Sequence, residues 1–121
     1  MQYMALIYGD QDAWAAFSDE EREGAYDLYR AFARDAEAAG VMAGGSELAP
    51  TRDATTVRVR SDETLVTDGP YAEVKEALGG YFLLECASID GALEWAARIP
   101  AAEHGAIEVR PVYVDPQAAA A

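Results

Sequence analysis

The first apolar run, residues 2–8, alternates Met4, Leu6 and Tyr8 with Tyr3, Ala5 and Ile7, so both of its faces are apolar. That pattern predicts a strand covered on both sides, central in its sheet. Gly9-Asp10 ends it, a short turn or helix follows around Trp14, and Ser18 with Glu21 three residues later spells a capping box. Beyond it Ala25, Tyr29, Phe32, Ala36 and Ala39 recur at three- and four-residue spacing, which predicts a sheet-packed helix stopped by Gly40. A strand over residues 41–48 is weakened by Gly44-Gly45 and ended by Ala49-Pro50.

Residues 55–60 alternate cleanly, which predicts Thr55, Val57 and Val59 inward and Thr56, Arg58 and Arg60 outward. The polar turn Ser61-Asp62-Glu63 returns the chain through residues 64–67 as a hairpin. The segment 68–76 carries Gly69-Pro70 and cannot be uninterrupted strand. Gly79-Gly80 opens a strand over 81–86 that is again apolar on both faces. Ser88 caps a helix over 89–99, with Leu93, Ala96 and Ala97 toward the sheet, and a last strand covers 106–114. Residues 1–116 make one domain, and the Ala-rich tail 117–121 reads as frayed.

This order predicts an α+β fold, a ferredoxin-like split βαβ plan with an extra β-hairpin between its halves. Two helices on one face of an antiparallel sheet leave the other face bare. Because the two central strands are apolar on both sides, that face needs a cover, and a second copy of the chain in a homodimer is the simplest one.

Composition narrows the functions. The chain has 121 residues, 51% of them apolar, enough for one hydrophobic core and too few for two domains. Its 22 acidic residues against 9 basic ones leave a net charge of -13, which repels nucleic-acid phosphates and anionic lipid. Cys86 and His104 are the single cysteine and histidine, so no disulfide within the chain and no Cys/His zinc site can form. Cys86 lies in an apolar run and reads as an inert thiol, and His104 as a surface residue of a polar turn. Asp10 and Asp12 are spaced like the first ligands of a calcium loop, but the glycine and distal glutamate of such a loop do not follow. The first apolar stretch is short and lacks a basic leader, and no segment is long enough to cross a membrane, so a cytoplasmic location is expected.

The run Asp68-Gly69-Pro70-Tyr71-Ala72-Glu73-Val74-Lys75-Glu76-Ala77-Leu78-Gly79-Gly80-Tyr81 resembles the signature of the DGPF subgroup of the YCII-related family, with Tyr71 where the subgroup has Phe. The similarity extends to the opening residues 3–8, to Gly44-Gly45 before Leu-Ala-Pro, and to Glu108-Val109-Arg110-Pro111-Val112. The resemblance implies a dimeric α+β barrel, two ferredoxin-like units with sheets face to face. It implies no known reaction: members are largely of unassigned activity, and many are encoded beside extracytoplasmic-function sigma factors. A His-Asp pair has been proposed for related members, and His104 matches no position of it.

The same segment holds the chain's sole lysine and three carboxylates. Asp68 at a strand end and Lys75 are the candidate catalytic groups, since a carboxylate in a cleft can act as acid or base and a lysine's pKa moves readily on burial. Tyr8, Tyr71, Glu73, Glu76 and Tyr81 are the candidate ligand contacts. Each also has a structural reading: Asp68 bonding its own turn, Lys75 and Glu76 as a surface pair, the glycines admitting a crowded strand. Two functions compete. One is a small-molecule-binding or enzymatic cleft that needs no cofactor or metal; the other is a non-catalytic interaction module partnering a sigma-factor system.

Overall fold

The computed structural model describes residues 1–120. Strand β1 (Gln2–Asp10) leads into a short helix α1 (Gln11–Ala15) and the long helix α2 (Asp19–Ala38). Then come β2 (Met42–Glu47), a hairpin of β3 (Thr55–Arg60) and β4 (Glu63–Asp68), β5 (Glu76–Glu85), α3 (Ile89–Ala96), β6 (Ala106–Pro111) and a terminal turn of helix α4 (Pro116–Ala120). The frayed reading of the tail falls in part on Ala121, which lies outside the described residues.

The main sheet has the order β2-β5-β1-β6, every neighbouring pair antiparallel. The two strands apolar on both faces, β1 and β5, are therefore the central pair, as their patterning requires, and the arrangement is the ferredoxin-like α+β fold. β3 and β4 pair only with each other among the described residues. Their turn holds Ser61 and Asp62 at φ values of 50° and 63°, the two left-handed positions of a two-residue hairpin turn.

Local signals act where the chain spells them. Ser18 Oγ accepts from the Glu21 amide at 3.1 Å, and the Glu21 carboxylate accepts from the Ser18 amide at 3.0 Å, closing the capping box. The helix it starts ends on Gly40 at φ 71°. Val41 N–H then donates to the Ala36 carbonyl and Gly40 N–H to that of Glu37, a Schellman closure that also buries Val41. Asp10, the first of the two calcium-spaced aspartates, caps α1 by accepting from the amides of Asp12 and Ala13.

Both long helices meet one face of the sheet. Phe32 and Ala36 from α2 and Ala96 from α3 join Ala5, Val41, Leu84 and Ile99 in the buried core, with Tyr29, Phe82 and Trp95 packed against it. The opposite face carries Met4, Leu6 and Tyr8 of β1, across from Leu83, Tyr81 and Leu78 of β5. Met4, Leu6, Tyr8, Tyr81 and Leu83 are only half-buried there.

Four expectations need correction. The hairpin does not turn Val57 and Val59 inward: they are 60% and 59% exposed, while Thr56 and Arg58 are the more sheltered pair. The hairpin stands off the main sheet, so its valines have no core to enter. β5 begins at Glu76 and not beyond Gly79-Gly80, because Glu76, Ala77 and Leu78 pair with Asp10, Gly9 and Tyr8 past a bulge that leaves Gly79 without a partner on β1. α3 stops at Ala96, and its buried positions are Ala92 and Ala96, whereas Leu93 is 48% exposed and Ala97 also faces out. β6 ends at Pro111, three residues early, although Val112 N–H still donates to the Gln2 carbonyl.

Candidate functional site

The bulge and the hairpin together make a cleft. Pairing on the β1–β5 ladder slips between Ile7 and Tyr8, which turns Tyr8 and its partner Leu78 to the same side at one end of the sheet. Opposite them, the chain between β2 and β3 forms a 3-10 turn over Thr51–Asp53. Gln11 fastens that turn: its side-chain carbonyl accepts from both the amide and the hydroxyl of Thr51, at 3.1 and 3.0 Å. The base of the hairpin is tied in turn, with Gly69 N–H donating to the Ala54 carbonyl at 2.7 Å and the Thr56 hydroxyl donating to the Gly69 carbonyl at 2.8 Å. Gly69 sits at φ 108°, a conformation that side chains resist.

Between these anchors lies a space of about 650 Å3, lined on the sheet side by Tyr8, Ala77 and Leu78 and on the hairpin side by Ala54, Thr55, Thr56 and Val57. Thr51 and the crossing segment Pro70, Tyr71, Ala72 and Val74 complete it. The volume is in the range of small-molecule sites. Tyr71 is 79% exposed at its rim, its ring 5.3 Å beneath the guanidinium of Arg58. The Tyr8 phenol makes a long 3.5 Å contact to the Glu108 carboxylate, to which it donates.

Of the seven candidate residues, the cleft brings together two, Tyr8 and Tyr71, which are 63 positions apart in the chain. Asp68 pairs with Thr55 at the end of the hairpin, is exposed, and does not line the cleft. Glu73, Lys75 and Glu76 are exposed as well. Among the described residues no ion pair joins Asp68 to Lys75, and none involves Glu73 or Glu76. Tyr81 lies on the open face between Leu6 and Ser46. The wall residues that sequence reasoning missed are the hydroxyls of Thr51, Thr55 and Thr56 and the apolar Val57, Ala77 and Leu78. The one signal that could have found the threonines, three of them within six residues beside Pro50, reads equally as an ordinary turn.

The cysteine, the histidine and the remaining core tyrosines do not line the cleft. Cys86 is half-buried, and burial, with Glu85 adjacent, pushes its thiol up from its ordinary value. Burial likewise raises the phenol of Tyr29, which packs on the core, and that of Tyr26, whose hydroxyl also donates to Glu47 at 2.9 Å. His104 is exposed at the end of the 3-10 turn Pro100–Glu103. No helix among the described residues is long and apolar enough to cross a membrane.

A family model described as the YCII-related domain matches residues 1–114. The chain belongs to the YCII-related family. As a member of it, the chain is also similar to an uncharacterized protein of Rhizobium meliloti (strain 1021), 40% identical over 114 residues that cover 93% of this chain and 92% of that protein. In this YCII-related chain the matched region contains the whole sheet, both core helices and every residue of the cleft wall.

Proposed function

We propose that this protein is a homodimeric small-molecule-binding protein whose ligand site is the cleft between the β1–β5 sheet end and the hairpin base. The observation that carries the reading is the convergence of Tyr8 and Tyr71 on one 650 Å3 space with an otherwise mostly apolar wall. Binding is favoured over catalysis because no carboxylate, amine or imidazole lines that space; Asp68 and Lys75 have no part in the reading.

Surface area supports the dimer. The chain exposes 8388 Å2, while a folded monomer of 13.0 kDa exposes about 6,300 Å2. The surplus of roughly 2,000 Å2 is more than twice what one partner buries in a standard interface. The half-buried face of Met4, Leu6, Tyr81 and Leu83 accounts for part of it, beside the protruding hairpin with Val57, Val59 and Val66, and two such faces in contact form a dimeric α+β barrel. Within the family we place the chain in the DGPF subgroup, on the Asp68-Gly69-Pro70-Tyr71 run.

The test is amide NMR with a library of small neutral and charged fragments. Binding should shift the resonances of Tyr8, Tyr71 and residues 54–57, and Ala72→Trp, which fills the cleft from an exposed position, should remove those shifts. Shifts that map elsewhere, or that survive in the filled variant, refute the site.

A further inference from the structure

We propose that the cleft selects neutral ring compounds carrying a hydrogen-bond donor, of the phenol type, and rejects both anions and cations. This rests on the reading of the cleft as a ligand site and adds the chemistry of what enters it.

The argument starts from the protons. A hydroxyl has one donor proton and two acceptor lone pairs. Five hydroxyls line this cleft: those of Thr55 and Tyr71 are exposed at its edge, whereas the three half-buried ones, of Thr51, Thr56 and Tyr8, have their protons already committed within the chain. Thr51 donates to Gln11 at 3.0 Å, Thr56 donates to the Gly69 carbonyl at 2.8 Å, and Tyr8 points its hydroxyl toward Glu108 at 3.5 Å. What these oxygens have left to offer is lone pairs. A polar group that reaches these three sheltered oxygens must therefore supply the hydrogen, and an O–H or ring N–H does so where an ether or ketone oxygen cannot.

Charge is excluded on both sides. The wall contains no lysine, arginine or histidine to receive a carboxylate, its free lone pairs repel one, and the whole chain carries a net charge of -13. That net charge attracts cations to the surface, but the wall itself contains no aspartate or glutamate, and Glu108, which Tyr8 contacts from outside it, is already paired with Arg110 at 3.4 Å, so an ammonium entering the cleft would lose its hydration without gaining a free counter-ion. Arg58 does not alter this, because its guanidinium is held over the Tyr71 ring and is not part of the wall. The remaining surface, Ala54, Val57, Pro70, Ala77 and Leu78, rewards only apolar contact.

Four probes that share one toluene frame separate the terms: p-cresol, 4-methylanisole, p-toluate and 4-methylbenzylamine, titrated at neutral pH into the full-length protein and into Ala72→Trp by calorimetry and amide NMR. Circular dichroism confirms that the variant is folded. The proposal requires p-cresol to bind saturably, about tenfold tighter than its methyl ether. The carboxylate and the ammonium should be weaker still, and binding should be lost in Ala72→Trp. A carboxylate or ammonium that equals p-cresol overturns the ligand class while leaving the site in place. An ether that equals it overturns the donor requirement. If none of the four binds saturably, or the filled variant binds as well as the wild type, the site itself falls and the class with it.

Discussion

Leu83→Asp is the sharpest probe of how the sheet is covered. Leu83 lies on the face away from the helices, paired with Met4 on one side and Gly44 on the other, so it sits in the body of that face and not at its margin. If a second copy covers this face, each protomer buries the exposed half of a leucine that is already half-buried, worth about 0.8–1.5 kcal/mol of transfer. Two-fold symmetry counts the loss twice, about 1.5–3 kcal/mol. At 1.4 kcal/mol per factor of ten, the dissociation constant should rise about 10- to 100-fold, and the desolvation of two new carboxylates adds to that. Sedimentation velocity over about a hundredfold range of concentration spanning micromolar reads the shift directly, and the melting temperature of the wild type should rise with concentration as mass action demands. The reasoning fails if the wild type sediments as a monomer throughout. It fails equally if folded Leu83→Asp dimerises as tightly as the parent.

Other expectations follow from the core and the glycines. Phe32 is 4% exposed, with its ring 5.0 Å from that of Phe82 and 6.1 Å from that of Trp95, so Phe32→Ala should cost about 3–5 kcal/mol in urea unfolding. A loss below about 1 kcal/mol would mean that this cluster is not the core. At Gly105 a methyl group would overlap the Tyr8 carbonyl oxygen, so Gly105→Ala should destabilise by about 1–3 kcal/mol and disturb the Tyr8 amide in NMR spectra; an unaltered spectrum refutes the close packing. Glu21 is held below its ordinary value of 4.5, first by the Ser18 backbone N–H and then by its hydroxyl. A carboxyl lowered by folding contributes stability above its unfolded value and loses it as pH falls through the folded one. Glu21→Gln should therefore flatten part of the pH dependence of unfolding as the pH falls below the ordinary glutamate value, and identical wild-type and variant profiles would refute the capping role.

Much of this fold was legible because its signals are local or two-sided. Apolar residues on both faces of residues 2–8 and 81–86 are enough to make those strands central, and Ser18, Glu21 and Gly40 mark helix ends through hydrogen bonds a few residues long. Alternation in residues 55–60 also correctly grouped Val57 with Val59. It could not say which side is covered, since that depends on how far the hairpin stands from the sheet, a non-local property. The same limit moved the start of β5: Glu76, Ala77 and Leu78 become strand only because the far end of β1 is there to pair with them. In the cleft, Tyr8 was chosen as a wall residue of a central strand and Tyr71 as part of the segment 68–76, and the fold puts both on one space. Asp68 and Lys75 were chosen for their chemistry, but strand pairing set Asp68 at an exposed hairpin end, and the threonine hydroxyls look like ordinary turn residues until Gln11 and Gly69 are seen to take their protons.

If the proposed dimer forms, Tyr8 joins the assembly and the proposed site into one thermodynamic system. It lines the cleft, and it also lies on the uncovered face, across from Leu78 and Ala106. A partner packed on that face restricts the Tyr8 ring, so the dimer presents a cleft with one wall already fixed, whereas a monomer must order it when the ligand arrives. Ligand and partner then favour each other, and linkage makes the coupling reciprocal: whatever factor dimerisation adds to ligand affinity, the ligand adds to dimer affinity. Leu83→Asp, at a position that pairs with Met4 and Gly44 and does not line the cleft, should on this account bind p-cresol more weakly than the wild type. Saturating p-cresol should in turn lower the dimer dissociation constant of the wild type by the same factor. Measuring both shifts closes the cycle. Unequal shifts, or a monomeric variant with undiminished affinity, would separate the cleft from the interface and leave Tyr8 serving the two independently.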